Sequence, residues 1–121
     1  MKKHKYKYLA KILKIIDGDT IKAELDLGLS IKSIQTLRLA RINSPELRGP
    51  MRKYGLEAKE ALKNWQSLVS MTDSLVEIET SKQGKYGRYI AEVLFRLRPE
   101  NEMVNLSDWL VEQAFAEYKD Y

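Results

Sequence analysis

A strict alternation of apolar and charged residues, placed just after an Asp-Gly pair, is the feature that most limits the fold. From Ile21 to Leu27, apolar side chains occupy the odd positions and charged side chains the even ones. A period of two is the repeat of a strand with one buried face, and Asp17-Gly18 is a common tight-turn pair. The segment therefore predicts a β-hairpin whose first strand covers residues 8–16.

Further strands and two helices are predicted along the rest of the chain. The strands are predicted at 30–42, ending before Pro45, and at 74–80 and 88–97. Apolar residues recur at helical spacing over 57–70, which predicts a helix with the acidic Glu57 in its first turn.

A second helix is predicted to begin after Asn105, a residue type that caps helix N-termini, with Asp108 three positions on. Leu106, Leu110 and Ala114 are predicted to form its inner stripe, and Trp109 and Phe115 to extend that face into the core.

The order β-β-β-α-β-β-α predicts an α+β domain rather than a parallel βαβ sheet. Five strands suit a small, partly open Greek-key barrel of the oligonucleotide/oligosaccharide-binding (OB) type with two packed helices. No internal repeat or linker interrupts the chain, so residues 1–121 are predicted to form a single domain, with 1–8 as a basic, flexible leader.

The composition excludes several kinds of catalytic and metal-binding site. The chain has no cysteine and a single histidine, His4, which excludes disulfides, thiolate nucleophiles and a two-histidine zinc site within one chain. The net charge of +4 favours a polyanionic partner such as nucleic acid, because the basic residues cluster at 2–14, 47–53 and 82–88.

Targeting signals and membrane spans are not expected. Lysines at positions 11 and 14 interrupt the apolar residues near the N-terminus, so a secretory signal is not predicted. No run of about 18 apolar residues suggests a membrane span. The expectation is a cytoplasmic monomer without a membrane or protein partner.

Five segments in order resemble the thermonuclease family, also called staphylococcal or micrococcal nuclease-like. They are "IDGDTI" (16–21), "LRLARINSPE" (37–46), "KYGLEA" (53–58), "KYGR" (85–88) and "MVN" (103–105). The resemblance runs from about residue 10 to 118 and implies a calcium-dependent phosphodiesterase that cuts DNA and RNA to leave 3′-phosphates. It also implies the OB-type barrel.

The resemblance also implies roles for eight residues. One calcium ion would bind the Asp19 carboxylate, the backbone carbonyl of Ser44, and Asn43, which stands where the family has a second carboxylate. Glu46 falls on the general base, and Arg38 and Arg88 fall on the two guanidiniums that bind the scissile phosphate. Lys85 and Tyr86 fall on residues that contact the nucleotide's phosphate.

These residue types suit phosphodiester hydrolysis for physical reasons. A guanidinium can bind two phosphate oxygens at once, calcium prefers oxygen ligands, and a carboxylate can take a proton from water. Each residue also has a structural interpretation. Asp17 suits the turn itself, Arg38 a surface strand, Glu46 a solvated loop and Arg88 a hairpin charge.

Asn43 leaves two interpretations open beside the nuclease. An amide oxygen brings a dipole in place of a full charge, so we expect weak metal binding, completed when substrate phosphate adds oxygens. The chain could instead be a non-catalytic barrel that binds single strands. It could also be a protein-interaction domain, but the basic leader is the only sequence feature that supports that interpretation. Tyr118 and Tyr121 lie near the positions of the family's base-stacking tyrosines, but ordinary packing or a frayed end is the favoured interpretation of both.

Overall fold

The computed structural model describes residues 6–72, 74–83 and 87–119. Its strands are β1 (Tyr6–Asp17), β2 (Thr20–Asp26), β3 (Lys32–Leu39), β4 (Ile42–Asn43), β5 (Leu75–Gln83), β6 (Tyr89–Arg96), β7 (Val104–Asn105) and β8 (Glu117–Tyr118). The five long strands lie in the order β3-β2-β1-β5-β6, and a parallel pairing of β3 with β6 closes them into a barrel. With two helices packed on it, this barrel confirms the predicted α+β fold of the OB type.

The core fills the barrel and continues under the helices. Ile21, Ala23 and Leu25 are buried, as the alternation in β2 predicts. They belong to one core cluster with apolar residues of β1, β3, β5 and β6. Trp65 of the first helix meets Phe95 of β6 edge to face, with ring centroids 5.5 Å apart. Full burial of an Ile or Leu side chain such as Ile21 stabilises the fold by about 1.5–3 kcal/mol through its removal from water.

The first helix, α1 (Arg52–Met71), begins five residues before the predicted start. It follows a 3₁₀ turn, Gly49–Met51, in which Pro50 occupies the first turn, where a missing N–H costs nothing. The first residues of α1, such as Arg52 and Lys53, are polar and exposed, so the apolar repeat does not extend to them. For this reason the sequence predicts a start that is too far along the chain. The expectation of Glu57 in the first turn is therefore wrong, because that turn holds no acidic residue.

The second helix, α2 (Leu106–Glu112), has the predicted cap. The Asn105 side chain accepts a hydrogen bond from the Asp108 amide at 3.2 Å, and Leu106 and Leu110 are fully buried. The prediction for Ala114 is wrong: it follows the end of the helix, is exposed, and has a φ of +64°. Trp109 and Phe115 are partly buried against the core.

Two strand boundaries also differ from prediction. β1 begins at Tyr6 and pairs with β5 from that residue on, so residues 6–8 belong to the barrel and not to a leader. The predicted third strand, 30–42, is two strands, because the chain bends at Arg41, whose φ is +65°.

Charged side chains stabilise that bend. Arg41 donates from Nε to Glu92 at 2.8 Å and from Nη1 to Asp108 at 2.9 Å. The Tyr118 hydroxyl donates to the same Asp108 carboxylate at 2.8 Å, and Ile42 of β4 pairs with Tyr118 of β8. The contacts hold β4 against the C-terminal segment, and β4 carries Asn43.

Within the described residues, neither helix combines the length and the apolar character that crossing a membrane requires.

Candidate nuclease site

One cavity at the edge of the barrel brings together six of the eight predicted site residues. It has a volume of about 370 Å³, and its walls come from the β1–β2 turn, the end of β3, β4 with the loop after it, and the segment before β6. The predicted residues that line it are Asp19, Arg38, Asn43, Ser44, Glu46 and Arg88. Lys85 and Tyr86 lie outside the residues that the structure describes.

Asp19 is held in the β1–β2 turn by contacts on both carboxylate oxygens. Asp17 pairs with Thr20, so only Gly18 and Asp19 form the loop, and the Asp19 amide donates to the Asp17 carboxylate at 3.0 Å. The Asp19 Oδ2 atom accepts from the amide and the hydroxyl of Ser44, at 2.9 and 3.0 Å. Oδ1 accepts from the Thr20 hydroxyl at 3.1 Å. Because it is so well bonded, the buried carboxylate has a fixed orientation.

Arg38 reaches the cavity because its neighbours in β3 face the other way. Leu37 and Leu39 are fully buried in the barrel, so the alternation of the strand turns Arg38 away from the core. Its Nη2 lies 3.3 Å from Asp19 Oδ2 and 3.3 Å from Asn43 Oδ1. Nη1 donates to the Leu39 carbonyl at 3.1 Å. Arg38 is only 9% exposed, and it is therefore not a surface strand residue.

Two glycines let α1 pack close to the turn and loops of the site. A Cβ at Gly18 would lie 2.7 Å from Ala58 of α1 and 2.8 Å from Ser44. A Cβ at Gly55 would lie 2.4 Å from the carbonyl oxygen of Glu46. No side chain fits such distances, so the glycines set how closely the helix supports the Asp19 turn and the Glu46 loop.

Glu46 and Arg88 stand nearer the solvent than the Asp19–Arg38 pair. Glu46 is exposed, in the loop between β4 and the 3₁₀ turn. Arg88 directly precedes β6, is half-buried, and places Nη1 3.5 Å from the hydroxyl of Thr20. Since Thr20 also bonds to Asp19, Arg88 lies beside the buried acid.

The two aspartates of the turn differ in proton affinity. Burial raises the pKa of Asp17 to about 6, and the hydrogen bond and negative charge of Asp19 add to the rise. Burial acts on Asp19 in the same direction, but hydrogen bonds from Asp17 and Ser44 and the charge of Arg38 outweigh it and lower its pKa. Asp19 therefore gives up its proton at lower pH than Asp17, which keeps its own to a higher pH than an ordinary aspartate does.

The donor atoms in the cavity suit a hard divalent cation. Asp17, Asp19, Asn43 and Ser44 offer only oxygen, which calcium and magnesium prefer. Among the described residues, however, no three acidic, histidine or cysteine side chains converge as a ready-made metal site. Arg38 also bonds to the Asp19 and Asn43 oxygens that a cation would use. The residues fit a weakly held ion that competes with a guanidinium.

Two charged residues in the cavity wall have no chemical role in the sequence-based prediction. The sequence favours a turn role for Asp17 over a ligand role, yet Asp17 lines the cavity beside Asp19. Arg48 also lines it, and its place in the basic segment 47–53 was the available signal. Tyr118 is not among the lining residues, since its hydroxyl bonds to Asp108 and Arg41 lies over its ring.

Comparison with known proteins identifies the family. A profile described as "Staphylococcal nuclease homologue" matches residues 36–121. An uncharacterized protein of Methanocaldococcus jannaschii is 26% identical over 90% of this chain and 58% of its own length. A thermonuclease of Staphylococcus hyicus is 34% identical over 69% of this chain and 46% of its own length. The chain thus spans about half the length of these curated relatives. Because the profile covers more than half of the chain, from the end of β3 through both helices, the chain belongs to the staphylococcal nuclease homologue family.

Proposed function

We propose that this protein is a calcium-dependent phosphodiesterase that hydrolyses DNA or RNA and leaves 3′-phosphates. The observation that supports the proposal is the convergence of Asp19, Arg38, Glu46 and Arg88 on one cavity, although they are far apart in the sequence. The family relationship and the thermonuclease relative point in the same direction.

In the proposed mechanism, the scissile phosphate enters between the two arginines. Arg38 and Arg88 donate to its non-bridging oxygens, where negative charge grows as water attacks phosphorus. Glu46 takes a proton from the attacking water. The bond from phosphorus to the 5′ oxygen breaks, the 5′ oxygen takes up a proton, and the phosphate stays on the 3′ side.

The cation site of the proposal consists of Asp19, Asn43 and the Ser44 carbonyl, with Asp17 close by. A bound divalent cation would supply further positive charge to the phosphate oxygens. Arg38 now bonds to Asp19 and Asn43, so a phosphate that draws Arg38 toward itself would release oxygens for the cation. Substrate and metal should therefore bind with positive coupling.

Digestion of labelled single- and double-stranded DNA and RNA tests the proposal directly. The expected result is cleavage that requires added calcium, stops with a chelator, and yields ends that a 3′-phosphatase converts to hydroxyls. Binding without cleavage under every divalent ion would contradict it. That outcome would favour a single-strand-binding module, for which the dipole at Asn43 and the Arg38–Asp19 ion pair are the specific support.

Asn43→Asp is expected to tighten calcium binding about tenfold, because ligand charge is one of the factors that set calcium affinity. The measurement is isothermal titration of each protein with calcium chloride alone. The wild-type affinity is expected to be weaker than micromolar.

Asn64→Asp is the matched control, since it makes the same change at an exposed position of α1 away from the cavity. Equal affinities of the two variants and the wild type would remove Asn43 from the ligand set. A submicromolar affinity of the wild-type apo protein would contradict the weak site.

A further inference from the structure

A second groove lies next to the site cavity, and most of its lining residues have no role in the proposed reaction. It has a volume of about 440 Å³, within the range of small-molecule sites. Its lining is mostly apolar and includes Pro45, Pro50, Met51, Tyr54 and Phe115. We call it the Tyr54 groove.

The groove and the cavity adjoin each other. Five residues line both of them: Asn43, Ser44, Pro45, Glu46 and Arg48. A chain whose phosphate lies between Arg38 and Arg88 would pass Glu46 and enter the groove with its next nucleotide. The shared lining therefore places an occupant of the groove beside an occupant of the cavity.

The exposed surfaces in the groove suit a nucleobase. Tyr54, in the first turn of α1, is 52% exposed, and Met51 is 48% exposed, so apolar faces of both stand open to solvent. Arg48 lines both the groove and the cavity and brings a positive charge that can bind a phosphate, and the groove is also lined by Glu46 and Glu117. An aromatic face beside a cation is the usual way to hold a base and its phosphate.

We propose that the Tyr54 groove binds the nucleotide next to the scissile phosphate, with its base stacked on Tyr54 and its phosphate near Arg48. The inference deepens the proposed nuclease function and rests on it. It gives the basic segment 47–53 a role, and it predicts that affinity depends on a base at that position and not on phosphate charge alone.

The test measures binding by fluorescence anisotropy of two single strands of about eight nucleotides, a typical site size. One strand carries bases, and the other is an abasic strand of the same length and charge. A chelator prevents cleavage. Tyr54→Ala should weaken binding of the base-bearing strand about tenfold and leave the abasic strand unchanged, whereas Tyr54→Phe should retain wild-type affinity. Arg48→Ala should weaken binding of both strands equally.

Tyr6→Ala is the matched control, because Tyr6 is similarly exposed (58%) but lines neither the cavity nor the groove. It should leave both affinities unchanged. The inference is overturned if Tyr54→Ala leaves the base-bearing strand unaffected or weakens both strands alike, with circular dichroism showing a folded protein. Wild-type binding that depends on Tyr54 but is never followed by cleavage would refute the nuclease proposal and leave the groove assignment standing. Cleavage by a protein in which Tyr54→Ala has no effect on binding would support the nuclease proposal and refute the groove assignment.

Discussion

Glu46→Gln is expected to reduce single-turnover cleavage by about 10²- to 10⁴-fold, the range that a positioned general base contributes. Glutamine has nearly the same shape, so the loop should keep its place against Gly55. What the variant loses is the ability to take a proton from water. Affinity for an oligonucleotide, measured by anisotropy, should change by about twofold or less, because the two arginines that would bind the phosphate are intact.

Glu60→Gln serves as the control for this variant, since Glu60 is an exposed residue of α1 outside the cavity. Its cleavage rate should match that of the wild type. If Glu46→Gln cleaves at the wild-type rate, Glu46 is not the base. If it loses cleavage and binding together, its role is in substrate binding and not in proton transfer.

Much of the barrel could be predicted because its signals are local. Alternation predicts the buried face of β2, and in β3 the same period of two places Arg38 on the face opposite the buried Leu37 and Leu39. The cap at Asn105 followed from residue type and spacing alone. These features depend on neighbours within a few positions, which a single sequence displays directly.

Features set by distant contacts were not predictable in the same way. The Arg41 bend, which splits the predicted third strand, is stabilised by partners 51 and 67 positions away. The early start of α1 brings Gly55 against the Glu46 loop. Arg38 also bonds to Asp19 and Asn43, and no local pattern in the sequence indicates these contacts.

Arg88→Ala is expected to lower kcat on the order of 10²- to 10³-fold, the typical loss when one donor to a developing anionic charge is removed. Arg88 lies beside Thr20, on the side of the Asp19 turn from which a phosphate could be shared with Arg38. Arg88→Lys should recover only part of the rate, because an ammonium keeps the charge but not the two-pronged geometry. Single-turnover cleavage at saturating substrate measures both variants.

Arg98→Ala separates the specific effect of Arg88 from the loss of one positive charge. Arg98 is exposed in the turn after β6 and lies outside the cavity, so its removal lowers the net charge equally. Losing a phosphate contact should also reduce the salt dependence of single-strand binding, by about 0.7 in the slope of log K against log salt concentration, for Arg88→Ala alone. Equal rates and equal slopes for the two alanine variants, both folded by circular dichroism, would mean that Arg88 does not contact the phosphate. A change in slope without a loss of kcat would mean that Arg88 binds the substrate but does not stabilise the transition state. Arg38 would then be the arginine that stabilises the negative charge of the transition state.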